Sequence, residues 1–235
     1  VNWSLSKITN LSTYPLWFGW AGYYLWGHIL SHYLNHNRTV PAAVMEKIQT
    51  IQSNNFEQMF NEPFRIKHVR YNGENVIFYG AERQTDMQTN VWIQALMSSV
   101  NSTTAKPHLV QSYLDWLFGV NPVGYCLMEG VGDKNLPQYH HRYSNAENPG
   151  GEVPGAIPNG IAQAKPTRKY MATRGLEYND SNALELLGDR ASVADWPENP
   201  LVKDGVPSNP NEVWIPHNAM MIRVLTAIEQ YGLVI

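Results

Sequence analysis

Charged side chains are scarce in this sequence. Only 16% of its 235 residues are Asp, Glu, Lys or Arg, whereas an ordinary globular protein has about 25%. The formal net charge is -3, and the basic residues form no cluster, so nucleic-acid binding is not expected as the main function. Since 43% of the residues are hydrophobic, a disordered chain is not expected either.

Cysteines and long apolar runs are also scarce. Cys126 is the only cysteine, so no internal disulfide can form. The longest apolar stretch covers about residues 16–30, contains glycines and a histidine, and is shorter than the roughly 18–20 apolar residues of a membrane helix. We therefore expect a buried amphipathic helix here and no membrane partner. Because the sequence starts at Val1 with no Met, basic n-region or apolar h-region, we interpret it as a mature or excised chain.

The apolar residues that are present recur mainly with helical spacing. After Pro41, for example, Val44, Ile48 and Ile51 lie on one predicted helix face. The Asn72-Gly73 pair between short apolar runs is typical of a hairpin, although an extended loop would also fit there. Helices are predicted over residues 17–34, from 41 to about 59, over 87–100, from 107 to just before 119, and over 216–231.

Residues 119–210 show no sustained helical pattern, apart from a short piece near 182–187, and hold most of the prolines. Because a long loop in a compact domain is usually functional, and this one carries aromatic, His and Arg side chains, we expect an ordered loop that lines a site. On the last helix, Met221, Val224, Leu225 and Ile228 are predicted to form the buried face. Five helices joined by alternately short and very long links suggest a piece of a helical barrel.

Three segments concentrate polar groups beside aromatic residues and predicted helix ends. One contains Gly132-Asp133-Lys134, with His140-His141-Arg142 shortly after it. Another runs from Asn211-Glu212 to Asn218-Ala219, and the third is Tyr79-Gly80-Ala81-Glu82-Arg83. These segments resemble signatures of glycoside hydrolase family 9, the inverting β-glucanases: a His-x-Arg motif, a Glu-x-small-x-x-x-Asn-Ala motif and a Trp-Gly-Ser-x-Arg stretch. Trp214 stands where that family usually has a small residue.

Two further stretches strengthen the resemblance. Residues 114–124, which include Leu114-Asp115-Trp116 and Gly119-Val120-Asn121-Pro122, resemble the family's Leu-Asp-Tyr-Leu-Leu-Gly-x-Asn-Pro segment. Residues 154–160, which end in Pro158-Asn159-Gly160, resemble its Gly-Gly-Pro-Asn loop. Each match is weak alone, but together they follow the family's order and approximate spacing over about residues 79–231.

The resemblance implies an all-α fold that is part of an (α/α)6 helical barrel with long site-lining loops. The family's paired-Asp motif, Asp-Ala-Gly-Asp, does not occur here, and the complete barrel is much longer than this chain. Residues 1–235 are therefore predicted to be the C-terminal half of one catalytic domain. The N-terminal half, with the Asp that serves as base, would be a partner outside this chain.

The resemblance also implies catalytic roles. Glu212 is predicted to be the general acid. His140 is predicted to act at the cleavage subsite. Asp204 corresponds to the Asp of the second signature, although it stands one residue closer to Glu212 than in the family pattern. Inverting hydrolysis needs two carboxyl groups about 6.5–9.5 Å apart, one as acid and one as base for water, and partial burial of Glu212 would raise its pKa as a general acid requires.

For substrate binding, the resemblance implies that Arg142 and Arg83 contact the sugar and that Tyr79 offers a flat ring to a pyranose face. No cofactor and no metal are expected. His140, His141 and His217 could ligate a metal, but no two of these three have His-x-x-x-His spacing and the only cysteine is remote from them.

Simpler interpretations remain open beside these. A glutamate just before a helix, such as Glu212, is more often a partner of the helix dipole than a catalyst. The leading functional prediction is hydrolysis of β-1,4-glycosidic bonds in a glucan-type polysaccharide or oligosaccharide, by a secreted or periplasmic protein. The alternative is a non-catalytic carbohydrate-binding or structural remnant, because one carboxyl group of the pair is not in this chain.

Overall fold

A computed structural model describes ten stretches of the chain. They are residues 19–60, 68–71, 74–77, 81–100, 103–121, 124–135, 153–160, 162–163, 191–192 and 213–233. The helical piece expected near residues 182–187 lies outside these stretches.

The described part of the chain is mainly helical. Its helices are α1 (Gly19–Asn35), α2 (Ala42–Phe60), α3 (Ala81–Ser99), α4 (Pro107–Leu117) and α5 (Ile215–Gln230). Two small antiparallel sheets accompany them, β1 (His68–Tyr71) with β2 (Glu74–Ile77), and β3 (Ala162–Gln163) with β4 (Ala191–Ser192). The five predicted helices are therefore present, and the all-α expectation is confirmed. Among the described helices, none is both long enough and apolar enough to cross a membrane.

Three of these helices end in the same way. At the end of α1, the Arg38 N–H donates to the Tyr33 carbonyl over 2.9 Å. Asn37, the residue just before Arg38, has a φ of 50°. The ends of α4 and α5 repeat this arrangement with Gly119 and Gly232, whose φ angles are 117° and 57°. A left-handed residue after the last turn lets the following N–H reach back to an otherwise unbonded carbonyl, so the sequence stops these helices by local chemistry.

The hairpin prediction is confirmed in its strands. Tyr71 pairs with Glu74 and His68 pairs with Ile77, whereas the Asn-Gly pair itself lies outside the described stretches.

Two predictions about helix detail are wrong. Helix α3 begins at Ala81, six residues before the expected start, because its first turns carry polar side chains that give no apolar periodicity. On α5, Met221 and Val224 are buried as predicted, but Leu225 is 45% exposed, and Met220 and Ala227 belong to the buried face in its place.

The chain divides into two compact units. The first comprises Val1–Gln58, Thr85–Gln111 and Met220–Ile235, and the second comprises Met59–Gln84 and Ser112–Ala219.

Helix α3 supplies much of the core of the first unit. Every residue from 85 to 97 is buried, although several of them are polar. Buried apolar residues of this unit include Trp26, Leu30, Val44, Ile48, Met87, Val91, Ile93, Leu96, Val110 and Val224. A helix buried on all sides is normally apolar, so the polar side chains of α3 require partners inside the protein.

A row of side-chain amides supplies such partners; we call it the amide chain and define it as Gln52, Asn90 and Gln94. Gln52 donates to Asn90 Oδ1 over 2.8 Å, and Gln94 donates to Gln52 Oε1 over 2.9 Å. Asn90 in turn donates to the Asp86 carbonyl at 2.8 Å, and Gln94 Oε1 accepts the Lys106 N–H at 2.8 Å. The amide chain therefore joins α2, α3 and the segment before α4 through buried hydrogen bonds.

Helices α1, α3 and α5 meet at Trp92 in the same unit. A Cβ atom on Gly27 would come within 2.3 Å of the indole ring, so this position of α1 accommodates the ring only as glycine. The Arg223 guanidinium lies 5.2 Å from the centroid of the indole, and the His28 ring meets the indole edge-on at 5.4 Å. Burial and the nearby Arg223 charge both lower the pKa of His28.

The second unit has its own apolar centre on the last turns of α4. Tyr113, Trp116 and Leu117 are buried there with Leu127 and Ile157. The Tyr113 hydroxyl donates to Gln84 Oε1 over 2.8 Å. Through Leu127 and Ile157, this centre anchors the described stretches 124–135 and 153–160.

Candidate active site

The predicted site residues themselves are mostly outside the described stretches. Five of them lie outside these stretches: Glu212, His140, Asp204, Arg142 and Tyr79. Arg83 lies in the first turn of α3, but its side chain is not among those described. Their roles therefore stay predictions, and the structure describes the backbone framework next to them.

Residues 124–135 form the part of that framework that precedes His140. The Cys126 N–H donates to the Lys134 carbonyl over 2.8 Å. The side chain of Asn135 donates to two carbonyls, those of Met128 at 3.0 Å and Val131 at 2.7 Å. These bonds close a compact loop whose final residue, Asn135, stands five positions before His140.

Residues 153–160 form a second part, which we call the central loop. Its Ala156 carbonyl accepts the Glu129 N–H at 2.9 Å, and its Gly155 N–H donates to the Glu129 carbonyl at 2.7 Å. Residues 156–160 are all buried. The central loop is thus fastened by its backbone to the segment that leads to His140 and Arg142.

The other side of the central loop contacts the beginning of α5. Val213, which directly follows Glu212, forms an isolated antiparallel bridge with Pro158. The side chain of Asn218 donates through Nδ2 to the Gly155 carbonyl. Its Oδ1 accepts the Ile157 N–H at 3.3 Å. One carboxamide therefore holds two backbone groups of the loop, on either side of Ala156.

A second fastening is made by His217 and Asn159. Both are 0% exposed, and His217 Nε2 lies 3.1 Å from Asn159 Oδ1. Because a carboxamide oxygen only accepts hydrogen bonds, this contact requires the hydrogen on Nε2. Burial lowers the pKa of His217 to about 3, so the ring is neutral near neutral pH.

Neither His217 nor Asn159 is among the predicted site residues. The sequence offered His217 only as a possible metal ligand, and the structure instead gives it an amide partner 58 positions away. The one available signal was their position inside motifs, since Asn159 belongs to the Pro-Asn-Gly stretch and His217 precedes Asn218-Ala219. Across the stretches that the structure describes, no three His, Cys, Asp or Glu side chains are placed to hold a metal ion.

Comparison with known protein families decides the affiliation. The family model described as glycosyl hydrolase family 9 matches residues 3–184, which is more than half of the chain. The chain belongs to glycosyl hydrolase family 9. It is accordingly a glycoside hydrolase chain, its substrate class is polysaccharide, and its fold is part of the all-α barrel of family 9.

The family 9 match includes Tyr79, Arg83, His140 and Arg142 and ends before Asp204 and Glu212. The central loop and the loop closed by Asn135 lie inside the matched range, whereas α5 lies beyond it. Among curated protein sequences, none matches the chain significantly.

Proposed function

We propose that this chain carries the proton donor and part of the sugar-binding site of an inverting β-1,4-glucanase. Residues 1–235 would form the C-terminal portion of one catalytic domain, and the base Asp would come from an N-terminal half. The observation that supports this most directly is the central loop, which is bonded on one side to Glu129 and on the other to Val213 and Asn218. The segment that leads to His140 and the segment that follows Glu212 are thereby bonded to one loop.

In the proposed reaction, the Glu212 carboxyl group donates its proton to the glycosidic oxygen as the C–O bond breaks. The Asp on the other half removes a proton from water, and the resulting oxygen nucleophile attacks the anomeric carbon from the opposite face. The leaving sugar keeps the proton of Glu212 as its new hydroxyl, and the anomeric configuration is inverted.

The remaining predicted residues would hold the substrate. His140 and Arg142 would hydrogen-bond sugar hydroxyls at the cleavage subsite, Arg83 would contact the sugar, and Tyr79 would stack on a pyranose face. Asp204, which precedes Glu212 in the sequence, is a further catalytic candidate. Since a polymeric substrate is met outside the cell, we expect a secreted or periplasmic enzyme.

The test uses the enzyme that contains this chain together with its N-terminal half. Glu212→Gln keeps the shape of the side chain but cannot protonate the leaving oxygen. General acid catalysis contributes about 10²–10⁴-fold, so kcat on a cello-oligosaccharide should fall by that factor with KM little changed. The loss should shrink on an aryl glycoside whose leaving group needs little protonation.

The matched control is Glu229→Gln, the same substitution at an exposed position of α5, which should leave kcat unchanged. Proton NMR of the first product should show the α-anomer, and an early β-anomer would contradict inversion. If Glu212→Gln retains wild-type turnover on the oligosaccharide, Glu212 is not the general acid and is instead a partner of the helix dipole. The alternative of a non-catalytic carbohydrate-binding or structural remnant is favoured if the wild-type protein itself shows no turnover.

A further inference from the structure

The start of α5 is held in position by side chains that themselves belong to α5. Asn218 bonds to Gly155 and Ile157, and His217 bonds to Asn159. Counted along the central loop, these three partners alternate with Ala156 and Pro158. Two consecutive residues of one helix turn therefore fasten three alternate residues of one loop.

This fastening fixes the alignment of two chain segments. Among the described residues, the bridge between Val213 and Pro158 is isolated. Within them, the alignment of the two segments is therefore not set by an extended strand pairing. Asn218 bonds to Ile157, the immediate neighbour of Pro158, and can set that alignment. The pairing partner of Pro158, Val213, is covalently bonded to Glu212.

We propose that Asn218 is a positioning residue for the carboxyl group of Glu212. It would act through the central loop: its carboxamide holds Gly155 and Ile157, the loop holds Val213 through Pro158, and Val213 sets the place of the neighbouring carboxyl group. The proposal rests on the proposed function, in which Glu212 is the general acid. His217 and Asn159 support the same alignment from the buried side.

The chemistry explains why such a device is needed. A proton donor must be held within about 0.5 Å of its productive position, and a displacement of about 1 Å can cost about 10²-fold in rate. Loop residues are less rigid than residues inside helices, so an acid that precedes a helix benefits from a bond that ties the helix to the loop beside it.

The test compares Asn218→Asp with wild type in the enzyme that contains this chain and its N-terminal half. The aspartate keeps the size of the side chain but cannot donate to the Gly155 carbonyl. Asn218→Ser is the second variant, in case the carboxylate prevents folding. The measured quantity is kcat on a cello-oligosaccharide divided by kcat on a dinitrophenyl β-cellobioside. Because both values come from one sample, this ratio does not depend on the folded fraction.

The matched control is Asn121→Asp. Asn121 also holds backbone through its carboxamide, donating to the Trp116 and Tyr125 carbonyls at 2.7 and 2.8 Å, but it contacts neither the central loop nor α5 in these bonds. It should lower thermal stability as Asn218→Asp does and leave the ratio at its wild-type value.

We expect Asn218→Asp to lower the ratio about 10–100-fold, through kcat on the oligosaccharide with KM little changed. An equal loss on both substrates, or an equal change in the control, would overturn the positioning role while leaving the acid assignment intact. The acid assignment is judged separately by Glu212→Gln: if that variant shows no dependence on the leaving group, both proposals fail.

Discussion

At the scale of single residues, His217 couples the fold to pH. Its pKa is lowered by burial to about 3, whereas a histidine in an unfolded chain has a pKa of about 6.5. Between these two values the unfolded chain binds a proton that the folded chain excludes. The free energy of unfolding therefore falls as the pH drops below about 6.5, by up to about 1.4 kcal/mol per pH unit from this group, and the contribution is fully present above that pH.

We predict that His217→Gln reduces this slope. Glutamine can still donate to Asn159 but does not titrate, so the free energy of unfolding should depend less on pH between about 4 and 6.5, even if the variant is less stable at neutral pH. Urea unfolding at several pH values measures the slope. His108→Gln, at an exposed position, is the control and should keep the wild-type slope. An unchanged slope in His217→Gln would assign the effect to other groups.

The sequence revealed part of this residue-scale picture. Asn218 and Asn159 were recognised as members of motifs, because motif spacing is local information. The pairing of His217 with Asn159 was not predictable, since it joins positions 58 residues apart and depends on a burial that no local pattern records. The same holds for the two bonds of Asn218 to the central loop.

At the scale of elements, the amide chain links helices through buried side-chain amides, which solvent water does not reach. Gln52 is 4% exposed and Gln94 is 2% exposed. Gln52 donates to Asn90 and accepts from Gln94, and Gln94 also accepts the Lys106 N–H. Removing one member therefore leaves buried donors and acceptors without that partner, which costs about 1–3 kcal/mol per group.

We predict that Gln52→Met lowers the free energy of unfolding by about 2 kcal/mol or more, because Asn90 Oδ1 and the Gln94 amide both lose a partner. Urea denaturation measures it. Gln49→Met, at a half-buried position on the same helix, is the matched control and should change the free energy by less than about 0.5 kcal/mol. Equal effects of the two substitutions would show that side-chain size, and not the hydrogen bonds, sets the loss.

Helix existence was well predicted, and helix detail was not. Gly119 marked the end of α4 because a left-handed residue there is a matter of local geometry. The start of α3 was missed because its first turns are polar yet become buried, as Gln84 and Asp86 show. Leu225 was assigned to the buried face of α5 on hydrophobicity alone, and only the surrounding elements determine that the face is rotated away from it.

At the scale of the whole molecule, α5 leaves apolar side chains in solvent. Ile222 is 64% exposed and Leu225 is 45% exposed, and a spacing of three residues puts them side by side on the helix. Burying such a side chain gains about 1.5–3 kcal/mol, so contiguous exposed apolar residues mark contact surfaces.

We predict that the isolated chain self-associates through this part of α5. Light scattering should show species larger than a monomer, and the double substitution Ile222→Lys with Leu225→Lys should reduce them. Ala43→Lys adds charge at an exposed position of α2, outside this part of α5, and is the control for charge alone. A monomeric wild-type chain, or equal dissociation by the control, would count against a contact surface here.

The single thiol of this protein also has a kinetic consequence. Cys126 is 3% exposed, and burial raises its pKa, so a thiol reagent can modify it only in molecules whose loop has opened. Because the protein has no second cysteine, the rate of labelling reports how often that one loop opens in the native protein. The opening rate of the loop that leads to the predicted sugar-binding histidine can therefore be measured through its natural cysteine.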